Sequence, residues 1–276
     1  VYRLRLEDGS LIWRSGVVRA HIMTTAAAVS ANGILYAASN YPDTFMELPG
    51  GPIKSTNAAI PGVLVAYNLT TGATIWSEVL EYNANQAVAI GPLGSGRAPS
   101  AVIGIGQNPG MPIGYGWLVK GYPWVLAFAV HQISIWFPSL FSSPTGSAMM
   151  AFDALTGRKQ WRFELDTYQK PSTSGDSERL SARLEGIYSG KNPYNDPFCL
   201  PDSSSQPVIG GDGTAYQAWQ DGRLYAIRER LYDGIIDAEI EVSFYDFGDG
   251  SQSSVGMAPG LLAVAPCGGG LYVFKN

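Results

Sequence analysis

Few side chains in this chain are of a type and placement that could do chemistry. Asp43, Glu47, Asp176 and Glu178 stand in irregular stretches where a general base or a cation ligand could sit. No spacing ties them into one constellation, and solvated loop carboxylates are the simpler reading of each. The run Asp246-Phe247-Gly248-Asp249-Gly250-Ser251 has the acidic, glycine-rich character of a calcium loop. It lacks the distal bidentate glutamate and falls where a hairpin turn is due. His21 and His131 lie too far apart in sequence to suggest a local metal or triad arrangement, and His131, inside an apolar run, reads as a hydrogen-bonded structural residue. Gly94-x-Gly96 and Gly104-x-Gly106 lack the helix and the Lys-Ser/Thr that phosphate-binding loops require. No catalytic residue and no metal ligand is assigned, and cofactor-binding residues stay unassigned.

Cys199 and Cys267 are too few and too separated for a Cys-x-x-Cys redox or zinc site. A bridge between them would close a long loop, worth roughly 4 kcal/mol in the chain-entropy model. Two buried thiols fit the sequence as well. Asn68-Leu69-Thr70 is a glycosylation sequon, but Asn68 also stands where a turn needs an Asx residue.

The elements that must position these residues are short strands. Among 276 residues there are 33 glycines, 18 prolines, 15 tyrosines and 7 tryptophans, and only 15% are charged. That composition suits many strands joined by tight turns in an all-β chain. A net charge of -5 without a Lys/Arg cluster gives a phosphate backbone nothing to bind, which argues against a nucleic-acid partner. The chain begins in a strand, Val1-Tyr2-Arg3-Leu4, with no initiator Met or leader, and reads as a processed protein or a segment of a longer one.

The organising feature is a repeat. Ala66-Tyr67-Asn68-Leu69-Thr70-Thr71-Gly72-Ala73-Thr74-Ile75-Trp76 recurs as Ala151-Phe152-Asp153-Ala154-Leu155-Thr156-Gly157-Arg158-Lys159-Gln160-Trp161, with identical spacing. A worn copy opens the chain, where Asp8-Gly9 precedes Trp13. Asn68 or Asp153 can bond the turn backbone, Gly72 or Gly157 can take a positive φ, and the Trp offers a large area to a neighbouring sheet. Gly222-x-Leu224-x-Ala226 copies Gly62-x-Leu64-x-Ala66, and a last partial copy from Ser254 to Phe274 stops one strand short. Residues 41 to 60, rich in proline and glycine, read as an inserted loop.

The motif Ala-x-Asp-x-x-Thr-Gly-x-x-x-Trp resembles that of the PQQ-like (quinoprotein-like) β-propeller repeats, strongly at 66–76 and 151–161 and more weakly at 1–13, 205–226 and 252–274. The resemblance implies an all-β propeller of four-stranded blades, with Trp13, Gly72, Trp76, Asp153, Gly157 and Trp161 as structural marks of the repeat. Residues 1–276 then form one propeller or a segment of one, with four or five blades visible, long insertions and one short hydrophobic helix. The ring would continue in sequence not present here, hide blades in the insertions, or close by lending an N-terminal strand to the last blade. The family includes quinone-dependent dehydrogenases and cofactor-free scaffolds of the BamB type, so fold alone leaves activity open. The dehydrogenases need PQQ, a calcium ion, a catalytic Asp and often adjacent cysteines, and no Cys-Cys pair occurs here.

Residues 112–146 interrupt the pattern. Lys120 is the one charged residue between Arg97 and Asp153. Trp124 to Phe137, between Pro123 and Pro138, is expected to form a helix of about 21 Å, too short to cross a ~30 Å hydrocarbon layer. A helix apolar on nearly every side is ordinarily buried in its own protein, whereas tryptophans at both ends suit an interface. Trp124, Val125, Phe128, Ile135, Trp136 and Phe137 are the expected docking residues. The function expected on these grounds is a non-catalytic propeller scaffold or interaction module without a cofactor. It would be docked through 112–146 on a membrane protein complex or membrane surface, in an extracytoplasmic or lumenal compartment. A PQQ-dependent alcohol or sugar dehydrogenase, or a fragment of one, is the alternative.

Overall fold

In the computed structural model of this chain, the residues described are 1–15, 26–40, 61–107, 112–189, 198–199, 202 and 204–275. The inserted loop at 41–60, with Asp43 and Glu47, and His21 lie outside them. The described strands form five antiparallel sheets, each built from consecutive segments of chain. The first is a hairpin of β1 (Tyr2–Leu4) and β2 (Leu11–Arg14), and the second holds β3 (Ala28–Val29), β4 (Ile34–Asn40), β5 (Gly62–Asn68) and β6 (Thr74–Leu80). The third consists of β7 (Ala89–Pro92), β8 (Pro99–Gly106), β9 (Ser147–Asp153) and β10 (Lys159–Glu164). Between β8 and β9 stand α1 (Ile113–Val119), α2 (Trp124–Trp136) and the single turn α3 (Pro138–Phe141), and after β10 comes α4 (Ser177–Tyr188). The fourth sheet contains β11 (Val208–Ile209), β12 (Ala215–Ala218), β13 (Arg223–Ile227) and β14 (Val242–Asp246), and the fifth β15 (Gly256–Ala258), β16 (Leu261–Val264) and β17 (Tyr272–Lys275).

Each sheet packs face to face on the next, as successive propeller blades do. Ile34, Tyr36, Leu64 and Trp76 of the second sheet share a core with Ile103, Ile105 and Met150 of the third. The third meets the fourth through Val102, Met149, Trp161, Ala215 and Ile227, and the fourth meets the fifth through Leu224, Phe247, Leu262 and Val264. Val1 packs against Val63, Val65 and Tyr67, which places the first hairpin on the second sheet's other face. The alternation of strand side chains supplies both faces of the three middle sheets.

The repeat residues lock these junctions. Trp13 Nε1 donates to Leu69 O (2.9 Å), and Trp76 Nε1 donates to Ala154 O (3.0 Å). Each indole lies flat on the glycine of the next sheet's turn: a Cβ on Gly72 would come within 2.6 Å of Trp13, and one on Gly157 within 2.8 Å of Trp76. Both glycines have positive φ, 75° and 77°, so only glycine satisfies the turn and the indole together. Asn68 Oδ1 accepts the N–H groups of Thr70 and Thr71, and Asp153 Oδ1 those of Leu155 and Thr156. The motif therefore describes a side chain of one sheet seated in a turn of the next. At the third junction the pattern lapses: Trp161 is 1% exposed, yet its Nε1 has no partner among the described residues. The turn after β13 is not Thr-Gly but the longer segment 228–241, and it presents no matching carbonyl.

The described residues hold four helices: the short hydrophobic helix that was expected, α2, with α1, α3 and α4 beside it. The amphipathic α4 went unread although Leu180 and Leu184, four residues apart, are both buried. Among the described residues the N-terminal strands complete no other sheet, because β1 and β2 pair with each other and β17 pairs with β16. Ring closure is not seen among the described residues, and Tyr2, Leu4, Leu261 and Val273 are exposed on the two end sheets.

Candidate functional site

The 112–146 insertion is a helical unit between β8 and β9 of the third sheet. Pro112 and Pro123 sit immediately before α1 and α2, where a fixed φ and a missing N–H cost nothing. Gly114 of α1 lets the two helices touch: a Cβ there would fall 2.6 Å from His131 Cβ and 2.7 Å from Ala127 O. On its other side α2 meets α4, where His131 Nε2 donates to Ser177 O (3.1 Å) and Gln132 Nε2 to Ser181 Oγ (2.8 Å). Ser134 Oγ closes back on His131 O. Burial lowers the His131 pKa, which favours the neutral ring, and the contact with Ser177 O calls for a proton on Nε2. This is the structural histidine that its apolar surroundings suggested.

The polarity of α2 is therefore inverted. Its fully buried residues are Ala127, His131 and Ser134, at i, i+4 and i+7. The opposite face is apolar and open to solvent, with Val125 51%, Phe137 58% and Trp136 79% exposed. Of the expected docking residues, these three are exposed while Trp124, Phe128 and Ile135 are half-buried. Leu126 and Ile133 of α2 and Leu140 of α3 are exposed as well and were not anticipated. The three polar side chains of the run, His131, Gln132 and Ser134, carried the helical phase, but the usual polar-outward rule would have read it backwards. Among the described residues no helix is long and apolar enough to cross a membrane.

The residues suited to chemistry are used otherwise. Asp176, wholly buried before α4, accepts from Arg179 Nε (2.5 Å) and from the Cys199 N–H, and Arg179 reaches on to Asp249 Oδ1 (3.0 Å). Burial raises the Asp176 pKa, against the lowering effect of Arg179 and the Cys199 N–H. Cys199 and Cys267 form a disulfide, and the Cys267 N–H donates to Gly250 O. Asp249 of the acidic loop is thus an ion-pair partner seated against Gly175 and Gly268, while Gly248 N–H donates to Asp246 Oδ1. Glu178 lies in the first turn of α4.

Among the described residues no three His, Cys, Asp or Glu side chains come together to hold a metal ion. Asn85 and Gln86 turn their amide nitrogens to Asp202 (2.8 and 3.1 Å), so this polar group presents donors to its carboxylate rather than a ring of free oxygens. Asp221, in the turn between β12 and β13, is pushed up to about 6 by burial, against hydrogen bonds from Tyr225 Oη and the Arg223 N–H.

No family model matches the chain, and no curated protein matches it. Solved structures do resemble it. BamB from Moraxella catarrhalis aligns with a TM-score of 0.48 and 14% identity, over 100% of this chain and 52% of that one. Quinohemoprotein alcohol dehydrogenase ADHIIG from Pseudomonas putida aligns at 0.40 and 15%, over 95% and 40%, and the enzyme from Comamonas testosteroni at 0.41 and 11%, over 93% and 39%. The chain spans about half the length of the first and about two fifths of the other two. Likeness at this level says nothing of activity, cofactor or partner. The blade architecture rests on the five stacked sheets themselves.

Proposed function

We propose that this chain is a non-catalytic interaction module of propeller type that docks on a membrane-associated assembly through α1–α3. The observation that carries this reading is the inverted polarity of α2. A helix that buries a histidine and a serine while exposing Val125, Ile133 and Trp136 is placed against its own protein by its polar side, and its apolar side is left for something else. Here the protein body supplies the polar half of the amphipathic unit. The disulfide between Cys199 and Cys267 supports an oxidising, extracytoplasmic or lumenal compartment. The carboxylates already committed to Arg179 and to backbone N–H groups support a role without cofactor.

The test is co-sedimentation with native membranes. Val125→Glu with Trp136→Glu should move the protein to the supernatant and leave its melting temperature within a few degrees of wild type, since both side chains are more than half exposed. Equal retention of the double variant, or PQQ with calcium restoring dye-linked alcohol or sugar oxidation, would overturn the reading.

A further inference from the structure

The strand register identifies a vacated tryptophan seat. In the second sheet Trp76 stands opposite Ala66, and in the third Trp161 stands opposite Ala151. In the fourth sheet the residue opposite Ala226 is Ser243. The frame is otherwise the same, since Gly222-x-Leu224-x-Ala226 repeats Gly62-x-Leu64-x-Ala66. Strand alternation fixes the direction. Val242 packs toward the third sheet, whereas Tyr245, on the same face as Ser243, meets Tyr272 and Phe274 of the fifth. Ser243 therefore points into the junction between the fourth and fifth sheets, where Trp76 and Trp161 point into theirs.

A groove of about 810 Å³ lies at that place. Its wall includes Ala226, Ser243, Tyr216 and Tyr245 from the fourth sheet and Met257 and Phe274 from the fifth. Trp76 is 8% and Trp161 1% exposed in their closed junctions, whereas Ser243 is open to solvent. The volume falls within the usual range of small-molecule sites, and the lining combines aromatic and aliphatic side chains with the Ser243 hydroxyl, the backbone of Gly210 and Gly211, and the charged Asp212 and Lys275 at its edge.

We infer that this groove is a binding site for a planar aromatic ring of indole size, which takes the place of the tryptophan that the other junctions supply themselves. Aromatic walls and a thioether favour such a ring through edge and sulfur contacts as well as through area. The site is separate from the α2 surface and does not depend on the docking reading.

The test is a titration of the whole chain with indole and with N-acetyltryptophanamide, followed by NMR and by thermal shift. Saturable shifts confined to the groove residues, with a raised melting temperature, are expected. Binding of both probes assigns the site to the free ring, and binding of the amide alone assigns it to a tryptophan borne on a polypeptide. Ser243→Trp should fill the seat, raise the melting temperature without ligand and weaken probe binding at least tenfold. If that variant does not fold, Ala226→Leu narrows the same seat and should weaken binding by a similar factor. Absence of saturable binding by either probe, or binding unchanged in the seat-filling variants, overturns the inference.

Discussion

The junction between the second and third sheets and the junction between the fourth and fifth share one frame and are closed by different means. At the first, Trp76 spans the gap, lies on Gly157 and donates to Ala154 O. At the second, Ser243 leaves a groove, and the nearby connections carry the Cys199–Cys267 disulfide and the Asp176–Arg179–Asp249 ion pairs. A sheet stack does not require an indole at every junction. It requires that enough contact be made at each one, and a covalent bond with a buried ion pair can substitute for about 200 Å² of aromatic surface. What the substitution leaves behind is accessible space.

The comparison can be broken at its strongest point. Trp76→Ala should destabilise the chain by about 4 kcal/mol through lost area and a residual cavity, read from urea unfolding, because the indole fills the space between Tyr36 and Gly157. A loss near zero would mean that the motif only marks the fold. Reducing the disulfide, or making Cys199→Ser with Cys267→Ser, should cost about 4 kcal/mol at most, with a fall in protection of the fifth sheet's amides in hydrogen exchange. If the loss spread evenly over all sheets, the bridge would not be local compensation for the missing tryptophan.

The smallest expected effect comes from Asp221. Its pKa in the folded chain, about 6, lies above the ordinary 3.8, so the folded state holds the proton more tightly than the unfolded one. The resulting stabilisation is complete below 3.8 and is lost as pH rises through about 6. Wild type should therefore lose stability relative to Asp221→Asn across that window. A difference that stays flat from pH 4 to 7 would place the carboxyl in solvent.

The expected docking residues show where reading from sequence stops. Trp124 to Trp136 is a helix because two prolines bracket an uninterrupted apolar run, and both signals are local. Which side of it faces out depends on Gly114 of α1 and on Ser177 and Ser181 of α4, which accept the polar side of α2. Phe128 and Ile135 were consequently placed on the open surface although they are half-buried, while Leu126, Ile133 and Leu140 were passed over. In α4 the legible signal, Leu180 and Leu184 at helical spacing, was obscured by the polar residues around it. The disulfide was undecided for a different reason. Its cysteines are 68 residues apart, and only the stacking of sheets brings their Cα atoms to 5.9 Å.

The amino-acid sequence by itself determined the repeat: the turns at Asn68–Gly72 and Asp153–Gly157 and the tryptophan that follows each. These are short-range consequences of Asx hydrogen bonding, positive φ at glycine and alternation along a strand. Only the tertiary structure decided that each indole seats in the following sheet, that Ser243 leaves such a seat empty, and that α2 turns its polar face inward. Those outcomes depend on which surfaces meet across the chain, and a surface chooses its partner by total burial and hydrogen-bond satisfaction, which no single segment contains.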